Sequence, residues 1–196
     1  MKIKICGLSR PADIEAVNRY RPDYAGFVIN FPKSHRSVSP AQVEVFRKSL
    51  CVPAVGVTVN QPLETVAQWL QRGVIDIAQL HGQEDAAYIR ALQSMTGKPV
   101  WKAFSIRSAT DLERAKHSPA DLVLLDNGYG TGKAFDWTLV RDIGRPFLLA
   151  GGLYIDNLQD AARMQPYGMD ISSGAETDKR KDPEKIRALV EKVRSL

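Results

Sequence analysis

The sequence predicts an α/β fold, a single compact (β/α)8 TIM barrel spanning residues 1–196. Short apolar, β-branched runs alternate with amphipathic stretches, and the alternation occurs eight times. The runs are apolar on both faces, as parallel strands covered by helices are. Eight strand–helix units close naturally into a barrel, and 196 residues is the short end of that fold's range. An open doubly wound sheet is the alternative. It would normally carry G-x-G-x-x-G after its first strand, and that motif is absent here.

The strand candidates in order are Lys2–Cys6, Tyr24–Ile29, Pro53–Val59, Ile75–Leu80, Val100–Phe104, Leu122–Asp126, Phe147–Ala150 and Met169–Ser172. Between and after them run helical patterns over Pro11–Tyr20, Pro40–Leu50, Leu63–Gln71, Glu84–Thr96, Ala109–Lys116, Trp137–Ile143, Ile155–Met164 and Pro183–Ser195. Ile186, Leu189, Val190 and Val193 give the last of these an apolar stripe at helical spacing. Ser39-Pro40, Asn60–Pro62, Ser108 and Asp182-Pro183 supply caps or early prolines where helices should start.

Composition narrows the function. Hydrophobic residues make up 44% and charged residues 25%, an ordinary soluble balance, with no run long enough for a membrane span and no apolar leader. Two cysteines without export context suggest free thiols in a cytoplasmic protein. The net charge of +5 is concentrated at the N-terminal end, where residues 1–50 hold nine basic and four acidic side chains. That bias favours an anionic partner. There is no basic block interleaved with aromatics, so nucleic acid is not expected.

The C-terminal strand ends of a barrel form its active face, and the chemically unusual residues fall there. The first strand ends at Cys6-Gly7, and "NFPKSHRSVSP" after the second carries Lys33, His35 and Arg36. The fourth ends in "QLHG", with His81, and the sixth in "LLDNGYGTG", with Asp126. The seventh ends in "LLAGGL" and the eighth in "DISSG", with Asp170. Gly130, Gly132, Gly151, Gly152, Ser172, Ser173 and Gly174 offer backbone N–H groups and hydroxyls suited to an anion, and loops seven and eight are the usual phosphate site of such barrels. A carboxyl ending an apolar strand, such as Asp126, is partly desolvated and suits a general acid, or else caps its loop. Cys6 is either a buried small hydrophobe or a nucleophile or base. His81 has no second ligand at metal spacing, so a structural or substrate-orienting role is expected and no metal or cofactor is. Cys51 falls before the third strand, on the opposite face from Cys6. Five residues at ~3.3 Å each separate the faces by more than a disulfide spans.

"KICGL", "QLHG", "LLD…GTGKAFDW", "LAGGL" and "DISSGAE", in this order and at these intervals, resemble phosphoribosylanthranilate isomerase of tryptophan biosynthesis over residues 2 to about 187. The resemblance implies a cofactor-free Amadori rearrangement of N-(5′-phosphoribosyl)anthranilate to 1-(2-carboxyphenylamino)-1-deoxyribulose 5-phosphate. It puts the general base on Cys6, the general acid on Asp126, the grip on the anthranilate carboxylate on Arg36, and the phosphate site on Gly130, Gly132, Gly151, Gly152, Ser173 and Gly174. His81 and Asp170 join Arg36 as expected substrate contacts. The implied partner is a small molecule bearing phosphate and carboxylate, with the chain a monomer or homodimer. Two rivals stay open: another sugar-phosphate isomerase of the histidine-pathway type, which would carry a carboxylate in place of Cys6, and a non-catalytic phosphate-binding barrel. Gly7 is expected to keep the path to the thiol open.

Overall fold

A computed structural model describes residues 1–126, 137–141 and 143–196. Eight parallel strands form its centre: β1 (Lys2–Cys6), β2 (Tyr24–Ile29), β3 (Ala54–Thr58), β4 (Ile77–Leu80), β5 (Val100–Ser105), β6 (Leu122–Asp126), β7 (Phe147–Leu149) and β8 (Gly168–Ile171). Each pairs with the next, and β1 pairs with both β2 and β8, so the sheet closes on itself. Closure decides against the open sheet. It also sets Lys4 opposite Asp170 and Cys6 opposite Gly26 in register.

Alternation along each strand sorts the side chains. Ile3 and Ile5 of β1 point outward into the main core beneath the helices, while Lys4 and Cys6 share the inward side. The barrel interior is filled by Val55, Ile77, Trp101, Ala103, Leu122, Leu124, Leu148 and Ala150, with Tyr24 packed against them. The Tyr24 and Trp101 rings meet edge to face at 4.9 Å, an arrangement worth roughly 0.5–1.5 kcal/mol beyond burial. This packed plug leaves only the C-terminal ends of the strands for chemistry.

The outer layer is α1 (Pro11–Tyr20), α2 (Pro40–Arg47), α3 (Leu63–Gln71), α4 (Ala86–Thr96), α5 (Ala109–Lys116), α6 (Leu158–Ala162) and α7 (Pro183–Arg194). Their starts follow the local chemistry. Ser39 and Gln42 form a reciprocal capping box, while Ser108 and Asp182 cap α5 and α7. Asp85, rather than Glu84, caps α4. No side chain caps α3, where Pro62 holds the N-cap position. Ile186, Leu189, Val190 and Val193 of α7 are buried, as the stripe predicts.

Three helical expectations are too long: Pro40–Leu50 ends at Arg47, and two others break up. Trp137–Ile143 contributes a 3-10 turn at Trp137–Val140, and Ile155–Met164 divides into a 3-10 turn, Ile155–Asn157, followed by α6. The division has a local cause. Asn157 accepts from Tyr154 N–H through Oδ1 and donates from Nδ2 to Gly152 O, tying the segment back to the loop after β7. Two short features were not anticipated: the strand Ser37–Val38 beside β2, and a hairpin of Glu176–Thr177 with Arg180–Lys181 after β8.

Candidate active site

Cys6, Arg36, His81, Asp126, Gly151, Gly152, Asp170 and Ser173 line one cavity of about 160 Å³ at the C-terminal mouth of the barrel. Residues read separately from six strand ends therefore meet. Gly174 is buried just behind this wall, and Gly130 and Gly132 lie outside the described residues. A larger cavity of about 710 Å³ opens between the starts of α4 and α5, lined by Arg107, Asp111, Arg114 and His117 among others. It contains neither Cys6, Arg36 nor Asp126, so size alone does not locate the chemistry.

Cys6 is 8% exposed. Burial pushes its thiol up; Lys4 and, more weakly, Lys181 pull against that, while Asp170 adds to it. Lys4 is fully buried and donates from Nζ to Asp170 Oδ1 at 2.8 Å. Burial by itself would lower Lys4, but Asp170 and Cys6 outweigh it and hold the ammonium above its ordinary value. Across the mouth, Asp126 sits partly exposed with Oδ2 3.7 Å from His81 Nε2. Desolvation lowers His81 despite the nearby carboxylates, so near neutral pH the imidazole beside Asp126 is uncharged. Both cysteines are free. Cys6 is buried at the mouth, and Cys51 is exposed before β3.

Arg36 is held by a residue the sequence reading missed. Its Nε and Nη2 donate to Glu176 Oε1 and Oε2 at 2.6 and 2.7 Å, a two-pronged pair. Lys181 Nζ donates to the same Oε1 at 2.6 Å and to Ser172 O at 2.9 Å. Burial favours the protonated Glu176, yet these two cations hold it at about 2. Glu176 thus takes the Nε–Nη2 edge of the guanidinium. A Cβ on Gly7 would collide with Arg36 Cδ. Its absence of a side chain makes room for the arginine stem.

The loops after β7 and β8 interlock. Gly151 and Gly152 adopt φ of 84° and 66°, left-handed backbone that favours glycine. A Cβ on Gly174 would strike the carbonyl oxygen of Leu153, so this glycine lets one loop press on the other. Tyr154 Oη and Ser173 Oγ, 3.2 Å apart, bridge the same two loops. Ser172 Oγ donates to Cys6 O at 3.1 Å and links this wall to the thiol's strand.

The family profile described as N-(5′-phosphoribosyl)anthranilate (PRA) isomerase matches residues 3–192 of this chain. The chain belongs to the N-(5′-phosphoribosyl)anthranilate isomerase family. The N-(5′-phosphoribosyl)anthranilate isomerase of Clostridium acetobutylicum is 41% identical, with 100% of this chain and 99% of the relative aligned. Among solved structures, phosphoribosyl anthranilate isomerase from Thermus thermophilus superposes with a TM-score of 0.88 at 32% identity, covering 100% of this chain and 99% of that one. A family structure in complex with reduced 1-(o-carboxyphenylamino)-1-deoxyribulose 5-phosphate gives 0.87 at 30%, with full coverage of both chains. Membership makes this chain an isomerase of tryptophan biosynthesis. Among the described residues no helix is long and apolar enough to cross a membrane.

Within the family frame, Lys4, Gln79, Glu176 and Lys181 are the site residues that the sequence reading passed over. Lys4 had a signal, since it shares inward parity with Cys6. Glu176 stands two residues beyond Gly174 in "DISSGAE". Gln79 is 1% exposed, lines the cavity, and among the described residues its Oε1 has no hydrogen-bond partner.

Proposed function

We propose that the chain converts N-(5′-phosphoribosyl)anthranilate to 1-(2-carboxyphenylamino)-1-deoxyribulose 5-phosphate, with Asp126 as general acid and Cys6 as general base. The observation that carries this is the meeting of Cys6, Asp126 and Arg36 at one cavity in a chain that matches the family from residue 3 to 192. Asp126 gives its proton to the ring oxygen as the C1′–O bond breaks, which leaves a protonated imine. The imine acidifies C2′–H. Cys6, as thiolate, takes that proton and becomes a thiol, and the electrons of the C–H bond form the enamine. Tautomerisation then gives the amino-ketose. Acid and base stand on β6 and β1, so they approach the sugar from different sides.

Arg36 meets the anthranilate carboxylate with its guanidinium. The phosphate is received by Gly151, Gly152, Ser173 and Gly174, with Gly130 and Gly132 as expected partners. Binding at these distant groups fixes the sugar between acid and base without taking part in bond changes. His81, uncharged, and Asp170 complete the wall around the ribose.

The test is consumption of the fluorescent anthranilate adduct by the wild type and by Cys6→Ser. The serine variant should bind a reduced product analogue and lose turnover by roughly 10²–10⁴-fold, the range of general acid–base catalysis. Near-normal turnover in Cys6→Ser would remove the base assignment. Analogue binding without any turnover in the wild type would favour the phosphate-binding barrel instead.

A further inference from the structure

Lys4 has no part in the chemistry described so far, yet its burial is complete and its position is specific. It lies one inward step below Cys6 on β1, opposite Asp170 in register, with its ammonium 2.8 Å from the Asp170 carboxylate. A Cβ on Gly26 would stand 2.9 Å from Cys6 Sγ and 3.0 Å from Lys4 Cε. The sulfur and the last carbon of the lysine chain are therefore no farther apart than the sum of those distances, 5.9 Å. Both side chains lean into the space that Gly26 leaves. A buried cation normally needs a full counter-charge. Lys4 has one carboxylate, Asp170, and among the described residues these distances bring the Cys6 thiol beside it as well.

We propose that Lys4 is a positioning residue for Cys6: its buried ammonium supplies the charge that lets the sulfur exist as a thiolate inside the barrel mouth, and Asp170 limits how much of that charge the sulfur receives. This deepens the assignment of Cys6 as base and rests on it. A thiol in a desolvated site resists ionisation, and an opposite charge within about 4–6 Å is what reverses that resistance. Among the described residues the other charged groups around the sulfur are Lys181 from the hairpin and Arg36 from the loop after β2, with His81 just after β4 and Asp126 at the end of β6 across the mouth. Lys181 and Arg36 share Glu176 between them, and Lys4 is the cation whose chain end the Gly26 gap brings beside the sulfur. During turnover the balance is simple. The C2′ proton moves to sulfur, the thiolate becomes neutral, and Lys4 is left paired with Asp170 alone until the thiol gives its proton up.

The experiment is the rate of iodoacetamide alkylation of Cys6 against pH, with label at Cys6 read apart from the exposed Cys51 by peptide mass spectrometry. Lys4→Met should move the midpoint of the alkylation profile upward by about 1–3 pH units, the usual effect of losing a close opposite charge. Asp170→Asn should move it downward. Because Lys4→Met leaves Asp170 buried without a partner, the charge-neutral double variant Lys4→Met/Asp170→Asn is measured beside it, and it too should lie above the wild type. A midpoint that stays in place in the double variant, or that moves the same way in Asp170→Asn as in Lys4→Met, would overturn the proposal. Alkylation needs no substrate, so this outcome is independent of whether Cys6→Ser retains turnover. A loss of packing alone would change alkylation rates at all pH values without moving the midpoint.

Discussion

Replacing Glu176 with glutamine removes one negative charge from between two cations while keeping the shape of the side chain. The wild-type carboxyl is 7% exposed and held at about 2, against an ordinary value of 4.5. At about 1.4 kcal/mol for each tenfold change in proton affinity, that difference is worth roughly 3 kcal/mol at pH 7. The sign follows from the direction. The folded state holds this proton less tightly than the unfolded chain, so the contribution is complete above about pH 4.5 and fades as pH falls toward 2. At pH 3 about 1.4 kcal/mol should remain. Glutamine still accepts one hydrogen bond, but its amide N–H₂ then faces Arg36 or Lys181, a donor against donors. Urea unfolding of both proteins from pH 3 to pH 7 checks the argument. Glu176→Gln should be less stable by about 3 kcal/mol at neutral pH, with the gap more than halved at pH 3. A gap that does not change with pH would show that the carboxylate does not anchor Arg36 and Lys181 by charge. The same variant should show a raised KM with a smaller change in kcat, because an unanchored Arg36 binds less well while the acid and base stay in place.

Three further outcomes follow from the same geometry. Asp126→Asn should fold normally and lose turnover by roughly 10²–10⁴-fold, since an amide does not protonate the departing ring oxygen; near-normal kcat in steady-state kinetics would rule this role out. Arg36→Ala should raise KM, and Arg36→Lys should recover only part of the loss, because an ammonium lacks the planar fork that meets each carboxylate with two parallel hydrogen bonds; unchanged kinetics in both would move the carboxylate site elsewhere. Gly174→Ala should force the loops after β7 and β8 apart, lowering the thermal midpoint and weakening the binding of inorganic phosphate measured by calorimetry. The steric cost is about 1–3 kcal/mol, and unaltered phosphate affinity would place the anion away from these loops.

The barrel was legible because its strands are apolar on both faces and its helices begin at Ser39, Ser108 and Asp182, local signals that need no knowledge of the rest of the chain. Helix ends were harder. Asn157 breaks the expected helix over residues 155–164 by bonding back to Gly152, a contact with the neighbouring loop that helical periodicity does not encode. The line of strand ends brought Cys6, Arg36, His81, Asp126 and Asp170 to one mouth, since a parallel barrel puts every such end on the same face. Glu176 and Lys181 escaped notice because their importance arises from a short hairpin that pairs them with each other and brings Glu176 to Arg36 across 140 positions of sequence. Gly7 has a contact that sequence order hides. Its neighbour in sequence is Cys6, but its neighbour in space is the stem of Arg36.

The ion pair between Lys4 and Asp170 joins residues 166 positions apart. During synthesis the lysine leaves the ribosome long before its carboxylate exists. Until β8 arrives, burying Lys4 means burying a lone cation, at a cost of several kcal/mol. The first strand must therefore keep this side chain in water and wait. Nascent chains that end before Asp170 should hold Lys4 open to amine-modifying reagents, and the final closure should shut it off. The same event that seals the barrel also delivers the electrostatic surroundings of the sulfur, so a half-made chain carries a cysteine but not yet a tuned one.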